Sequence, residues 1–91
     1  MTDRRIAYRV RGHVQGVGFR WATSRAAKAA GVTGFVCNES DGSVSGEAEG
    51  AAGALAEFAA FLRKGPRGSR VDEVEERELP GIGDRDFVIR R

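Results

Sequence analysis

Residues 4–31, RRIAYRVRGHVQGVGFRWATSRAAKAAG, decide the fold, because they predict a strand, a glycine-rich loop and a helix in direct succession. In residues 4–11 the apolar side chains of Ile6, Tyr8 and Val10 alternate with small or charged ones. A period of two is typical of a strand that buries one face. We therefore expect the first strand over residues 4–11.

The helix is predicted to follow Arg20 and to end at Gly31, since glycine commonly closes helices in a left-handed conformation. Helical spacing gives it one face of small apolar residues, expected to be buried, and one polar face, expected to be exposed. The small residues are Ala22, Ala26 and Ala29 or Ala30, and the polar ones are Ser24, Arg25 and Lys28.

Residues 32–50 predict a β-hairpin, with strand VTGFVCN at 32–38, turn ESDG at 39–42 and returning strand SVSGEAEG at 43–50. The dipeptide Asp41-Gly42 is frequent in tight hairpin turns. A second helix is predicted over residues 51–64, because apolar side chains recur there at the spacing of an amphipathic helix. Those side chains are Leu55, Phe58, Ala59 and Leu62.

Two further strands complete the prediction. Residues 69–80 crowd acidic residues around Val71 and Val74, so we expect a bulge or an exposed edge there. Residues 86–91, DFVIRR, predict a short last strand.

The predicted order is strand, helix, strand, strand, helix, strand, with a short C-terminal strand added. Two helices separated by a hairpin suit an antiparallel sheet that both helices cover on one face. We therefore expect an α+β, ferredoxin-like βαββαβ sandwich. A length of 91 residues suits one hydrophobic core, so residues 1–91 are expected to form a single domain.

Composition excludes several classes of protein. A net charge of +2 is too small to indicate nucleic-acid binding, although 13 of the 15 basic residues are arginines. One cysteine and one histidine rule out a disulfide framework and a Cys/His zinc cluster. No apolar run is long enough for a signal peptide or a membrane helix. We expect a cytoplasmic monomer that binds neither membrane nor nucleic acid.

The segment GHVQGVGFR at residues 12–20 contains three glycines and an arginine but no cysteine, serine, acid or lysine. A strand-to-helix loop presents backbone N–H groups at a helix N-terminus, where unpaired donors and the helix dipole favour an anion. Arg20 can add a forked contact to the same anion. The pattern predicts a phosphoryl-binding loop, although such glycines would also suit a tight connection without a ligand.

Other phosphate-binding motifs do not match. A nucleotide P-loop requires a lysine and a hydroxyl after its last glycine, and a dinucleotide fingerprint requires a larger parallel fold. A cysteine-dependent phosphatase requires a thiolate within the loop, whereas Cys37 lies seventeen residues beyond Arg20.

Together with residues 34–50, GFVCNESDGSVSGEAEG, the segment GHVQGVGFR resembles the two signature stretches of the acylphosphatase family. The resemblance extends to the terminal FVIRR and implies a ferredoxin-like enzyme that hydrolyses the carboxyl-phosphate bond of small acyl phosphates, with no metal and no cofactor. It implies that Arg20 binds the phosphoryl group and that Asn38 places the attacking water. The implied anion cradle is the backbone of Gln15, Gly16, Val17, Gly18 and Phe19.

A catalyst without a nucleophile is chemically sufficient for this reaction. The leaving group is a carboxylate and needs no general acid. Phosphoryl transfer depends on positioning and on stabilising charge at the phosphoryl oxygens. The Asn38 carboxamide can donate and accept hydrogen bonds and so orient water, and the bound phosphate is expected to take the proton. Inorganic phosphate, the product, is expected to compete with substrate.

Two other functions stay open on the sequence alone. One is a non-catalytic module that binds RNA or another anion, although the aromatic pattern of RNA-recognition strands does not occur here. The other is a carbamoyl-phosphate-handling domain of the kind that begins larger maturation proteins.

Three residues in or beside the motifs lie outside the implied phosphoryl contacts. His13 precedes the cradle and is expected to be an exposed loop residue rather than a general base. Trp21 is expected to pack under the loop. Cys37 stands where the family commonly has a basic residue, which brings substrate preference into question; we expect it to fill space on the strand, with a redox-sensitive thiol as the alternative.

Overall fold

The computed structural model describes residues 3–90 and has five strands and two helices within them. In chain order these are β1 (Arg4–His13), α1 (Phe19–Ala30), β2 (Thr33–Asn38), β3 (Val44–Gly50), α2 (Ala52–Lys64), β4 (Arg70–Leu79) and β5 (Phe87–Arg90). Every predicted element is present, with bounds that differ by a few residues. The predicted last strand, 86–91, corresponds to β5, and its final residue lies outside the described residues. Neither helix is long and apolar enough to span a membrane, as far as residues 3–90 are concerned.

The strands form one sheet in the order β4-β1-β3-β2-β5. The first four pair antiparallel, and β5 pairs with β2 in parallel. The predicted ferredoxin-like fold is confirmed. The sheet is mixed rather than fully antiparallel, because the added strand β5 runs parallel to β2. β4 lies at an edge, and its register against β1 shifts between Arg11 and Gly12, which leaves Asp72 as an extra residue. The expected bulge and exposed edge are both present.

Both helices pack on the same face of the sheet. The core combines alternate residues of β1, β2 and β3 with side chains of both helices. Its members include Tyr8, Val10, Val36, Val44, Ala48, Phe19, Ala27, Leu55, Phe58 and Leu62. The four apolar residues predicted to anchor α2 are all buried. Helix α2 therefore has the predicted orientation.

The buried face of α1 differs from the prediction. The buried residues are Phe19, Thr23, Ser24 and Ala27, whereas Ala22, Ala26 and Ala30 are half-buried and Ala29 is exposed. The helix begins one residue earlier than predicted, at Phe19, whose ring packs in the core near Phe61. Burying a phenylalanine removes far more apolar area from water than burying an alanine. The rotation of α1 is therefore set by Phe19.

The face of the sheet opposite the helices contains a buried arginine. Arg5 is 2% exposed and forms ion pairs with Glu47 at 2.8 Å, Glu49 at 3.0 Å and Asp84 at 3.0 Å. The Glu49 carboxylate also accepts the backbone N–H groups of Ile82 and Gly83. The Ile82 N–H and the Arg5 guanidinium hold the pKa of Glu49 below its ordinary value despite burial. This cluster fixes the loop 80–86, and so the approach to β5, against the sheet.

Arg5→Ala is expected to lower the free energy of unfolding by about 3–5 kcal/mol, because it leaves the buried Glu49 carboxylate without its cation. Urea unfolding at neutral pH measures the change. Arg4→Ala is the matched control, since Arg4 pairs with Glu78 between two exposed side chains and such pairs contribute little. Equal losses in the two variants would contradict a structural role for the Arg5 cluster.

Candidate functional site

The loop between β1 and α1 exposes its backbone at two glycines. Gly16 has φ 74° and Gly18 has φ 77°, in the left-handed region that favours glycine. A Cβ added at either position would meet no atom within 4 Å. Glycine is therefore required by backbone conformation rather than by crowding, and the space beside both residues is open to a ligand.

The side chains of the loop hold it from beneath. Val14 and Phe19 are buried, and Val17 is partly buried against the core. The alternation of inward side chains with Gly16 and Gly18 leaves backbone, not side chains, on the outer surface of the loop.

The loop leads into the N-terminus of α1. The first helical hydrogen bond runs from the Ala22 N–H to the Gly18 carbonyl, at 3.0 Å. The amides of Phe19, Arg20 and Trp21 come before it and have no partner within the helix. The first turn contains no acidic residue, and the Gly18 cap provides no side-chain acceptor. Unpaired donors and the positive end of the helix dipole therefore make this end of α1 suited to an anion.

The Gln15 side chain ties the loop to the β2–β3 turn. Its Nε2 donates to the backbone carbonyls of Glu39 at 2.8 Å and Ser43 at 2.9 Å. Both amide hydrogens are thereby directed into the turn that follows Asn38. The sequence motif places only the backbone of Gln15 in the cradle, and nothing in the motif indicates this tether. Its effect is to join the two signature stretches physically.

The Arg20 guanidinium is held by the end of β5. Its Nη1 donates to the backbone carbonyl of Arg90 at 3.2 Å. A guanidinium has five N–H donors, so this contact positions the group and leaves donors for an anion. The contact spans seventy residues of sequence, and no local pattern indicates it.

Arg20 and Asn38 lie on one cavity of about 200 Å³, although they belong to different motifs. Its lining consists of Gly16, Gly18, Phe19, Arg20, Trp21, Asn38 and Ile89. Gln15 and Val17 do not line it. Trp21 is 61% exposed, so the expectation that it packs under the loop is wrong. The cavity combines a guanidinium and the N–H groups at the start of α1 with two exposed apolar side chains, those of Trp21 and Ile89.

Cys37 and His13 lie away from this cavity. The Cys37 thiol is 3.6 Å from both the Glu39 carboxylate and the Ser45 hydroxyl, within a groove on the other face of the sheet. Successive residues of a strand point to opposite faces, so the side chain at position 37 points away from the Asn38 side. His13 is exposed and does not line the cavity. A basic side chain at position 37 would therefore not line this cavity, so its absence removes no charge from the cavity wall.

Metal-ligating side chains are not clustered in the part of the chain that the structure describes. No group of three or more histidine, cysteine, aspartate or glutamate side chains is arranged to hold a metal ion there. The chemistry available in the cavity is that of backbone amides, one guanidinium and one carboxamide.

Known proteins resemble this chain over nearly its whole length. The acylphosphatase family model matches residues 6–89. The chain is 50% identical over 74 residues to an acylphosphatase of Salinibacter ruber, which covers 81% of this chain and 78% of that protein. A crystal structure of acylphosphatase from Bacillus subtilis superposes with a TM-score of 0.93 and 32% identity, over 97% of this chain and 99% of that one. HypF of T. kodakarensis contains a similar unit, with a TM-score of 0.84 and 32% identity, over 97% of this chain and 12% of that larger one.

Proposed function

This chain belongs to the acylphosphatase family, and we propose that it hydrolyses acyl phosphates in the cavity between the loop 15–20 and Asn38. The enzyme is a hydrolase that acts on small acyl phosphates and releases a carboxylate and inorganic phosphate. The observation that carries the proposed site is that Arg20, Asn38 and the N-terminus of α1 line one cavity. A non-catalytic binding module is set aside, because the relatives are enzymes.

In the proposed complex the phosphoryl group lies against the part of the predicted cradle that lines the cavity, the backbone of Gly16, Gly18 and Phe19. The N–H groups at Gly16, Gly18 and the start of α1 bind its oxygens, and Arg20 adds a charged contact. Because Arg90 already orients the guanidinium, little further ordering is required when the anion binds. These donors also stabilise the charge that redistributes over the oxygens in the transition state.

The attacking water is assigned to Asn38. Asn38 ends β2, and the turn that follows it is held to the cradle by the Gln15 amide. The carboxamide therefore has a fixed position relative to the bound phosphoryl group, as positioning catalysis requires. The phosphate itself accepts the proton of the water, and the carboxylate leaves without protonation.

The proposed enzyme is a monomer in which residues 1–91 act as one domain, because the proposed mechanism requires no residue from a second copy of the chain. A single cysteine, Cys37, suits the reducing cytoplasm. Inorganic phosphate, which shares the phosphoryl end of the substrate, is proposed to inhibit competitively.

The test of the proposal compares two substrates in the presence of EDTA. Benzoyl phosphate should be hydrolysed without added metal, since the reaction needs only amides, Arg20 and Asn38. p-Nitrophenyl phosphate should react at least about 100-fold more slowly, because a phosphate monoester has a poorer leaving group and the cavity has no general acid to protonate it. Similar turnover of the two, or activity that EDTA abolishes and one divalent ion restores, would refute the mechanism.

A further inference from the structure

Two large apolar side chains are exposed at the rim of the proposed site. Trp21 is 61% exposed and Ile89 is 43% exposed, and both line the cavity with Arg20 and Asn38. Apolar residues exposed singly are ordinary. Two of them beside a few convergent polar groups have the composition of a ligand pocket. Their role is not explained by binding of the phosphoryl group, which requires only the guanidinium and the N–H groups.

Trp21 is held in place from one side. It occupies the first turn of α1, directly after Arg20. The guanidinium carbon of Arg25, one turn further along the exposed surface, lies 4.9 Å from the centre of the indole ring. This cation–π contact stabilises the ring at the surface without burying it. The indole is therefore an ordered wall beside Arg20.

Ile89 is the second exposed apolar residue of the cavity lining. On β5 it pairs with Val36, and Val36 and Asn38 are two apart on β2, so their side chains lie on the same face of the sheet. The neighbouring Val88 pairs with Phe35, which lines the groove on the other face. Ile89 thus faces the cavity and Val88 faces away from it, although the two are similarly exposed.

The substrate has a polar and an organic end. When the phosphoryl oxygens bind the amides and Arg20, the acyl group, joined through the bridging oxygen, extends to the rim. The rim residues it meets are Trp21 and Ile89. An aromatic or bulky apolar acyl group would remove apolar surface of both side chains from water, and an acetyl group would remove much less.

We propose that Trp21 and Ile89 form a subsite for the acyl group and give the enzyme a preference for acyl phosphates with aromatic or bulky apolar acyl groups. This inference rests on the proposed function, because it assumes that the phosphoryl group occupies the same cavity. It names the substrate class and two residues that select it.

The test measures kcat/KM for benzoyl phosphate and for acetyl phosphate. The unmodified enzyme should prefer benzoyl phosphate. Trp21→Ala should reduce that preference about tenfold, the scale of selection by a small apolar pocket, while acetyl phosphate turnover and the Ki of inorganic phosphate stay near their original values. Trp21→Phe should restore most of the preference. Ile89→Ala should act in the same direction, and Val88→Ala, the matched control on the other face, should leave the preference unchanged.

Three results would overturn the subsite. The first is an unchanged preference in Trp21→Ala. The second is an equal loss on both substrates together with weaker phosphate inhibition, which would show that Trp21 positions Arg20 instead. The third is an equal effect of Val88→Ala and Ile89→Ala. Failure of the unmodified enzyme to hydrolyse either substrate is a distinct outcome, and it would overturn the proposed function and the subsite with it.

Discussion

Arg20→Ala is expected to lower kcat/KM for benzoyl phosphate by about 10³-fold or more, because it removes the charged donor that is proposed to contact the phosphoryl oxygens. In the proposed mechanism the guanidinium binds these oxygens in the ground state and again as their charge redistributes. Both kcat and substrate affinity should therefore fall, and the Ki of inorganic phosphate should rise. Steady-state kinetics with phosphate as a competing ligand measure all three quantities.

The control for Arg20→Ala must separate catalysis from folding, because the Arg20 side chain also bonds the Arg90 carbonyl. A thermal melt shows whether the variant stays folded. Arg63→Ala removes the same type of side chain from α2, outside the cavity, and should leave kinetics unchanged. A folded Arg20→Ala enzyme with unchanged phosphate inhibition would show that Arg20 does not bind the phosphoryl group.

Asn38→Ala is expected to reduce kcat at least about 100-fold while phosphate affinity changes little. Its proposed partner is the attacking water, which contributes little to holding substrate, and misplacing a reactant costs rate of this order. The same kinetic series, with the Ki of phosphate, distinguishes this pattern from that of Arg20→Ala. Loss of rate with retained phosphate affinity is the signature of a residue that positions the nucleophile.

Asn38→Ala is expected to disturb folding less than Arg20→Ala does. The Asn38 backbone pairs with Val44 in the hairpin, and that pairing does not require the carboxamide. Cys37→Ala is the matched control, since the adjacent side chain points to the other face of the sheet. If folded Asn38→Ala keeps a near-normal kcat, or binds phosphate as poorly as Arg20→Ala, the division of roles between the two residues is wrong.

The predictions from sequence succeeded where one local pattern decides the structure. The period-two alternation of β1, the hairpin turn at 39–42 and the apolar stripe of α2 are all present as predicted. In each case the residues that make the pattern also make the contacts. The face of α1 was predicted only in part: Arg25 and Lys28 are exposed as predicted, but Ser24 is buried and the alanines other than Ala27 are at most half-buried, because several alanines form a weaker signal than the single ring of Phe19 at the start of the helix.

In the candidate site, too, some residues were predicted from local motifs and other features were not. The glycine loop, Arg20 and Asn38 were chosen from the motifs, and the structure brings Gly16, Gly18, Phe19, Arg20 and Asn38 to one cavity, whereas Gln15 and Val17 do not line it. The Gln15 tether, the Arg90 carbonyl behind Arg20 and the exposed position of Trp21 had no counterpart in any motif. Nor did the charges of residues 4–11 distinguish the buried Arg5 from the exposed Arg4.

The sequence by itself determined the order of the elements and the conformation of the loop, because periodicity and the φ angles of Gly16 and Gly18 are properties of short segments. Only the tertiary structure decided which face of α1 is buried, that β5 runs parallel to β2, and what holds Arg20 in place. These depend on contacts between residues far apart in the chain, such as Arg20 with Arg90. The free energy of such contacts comes from burial and from pairing across the fold, which the local order of residues does not record.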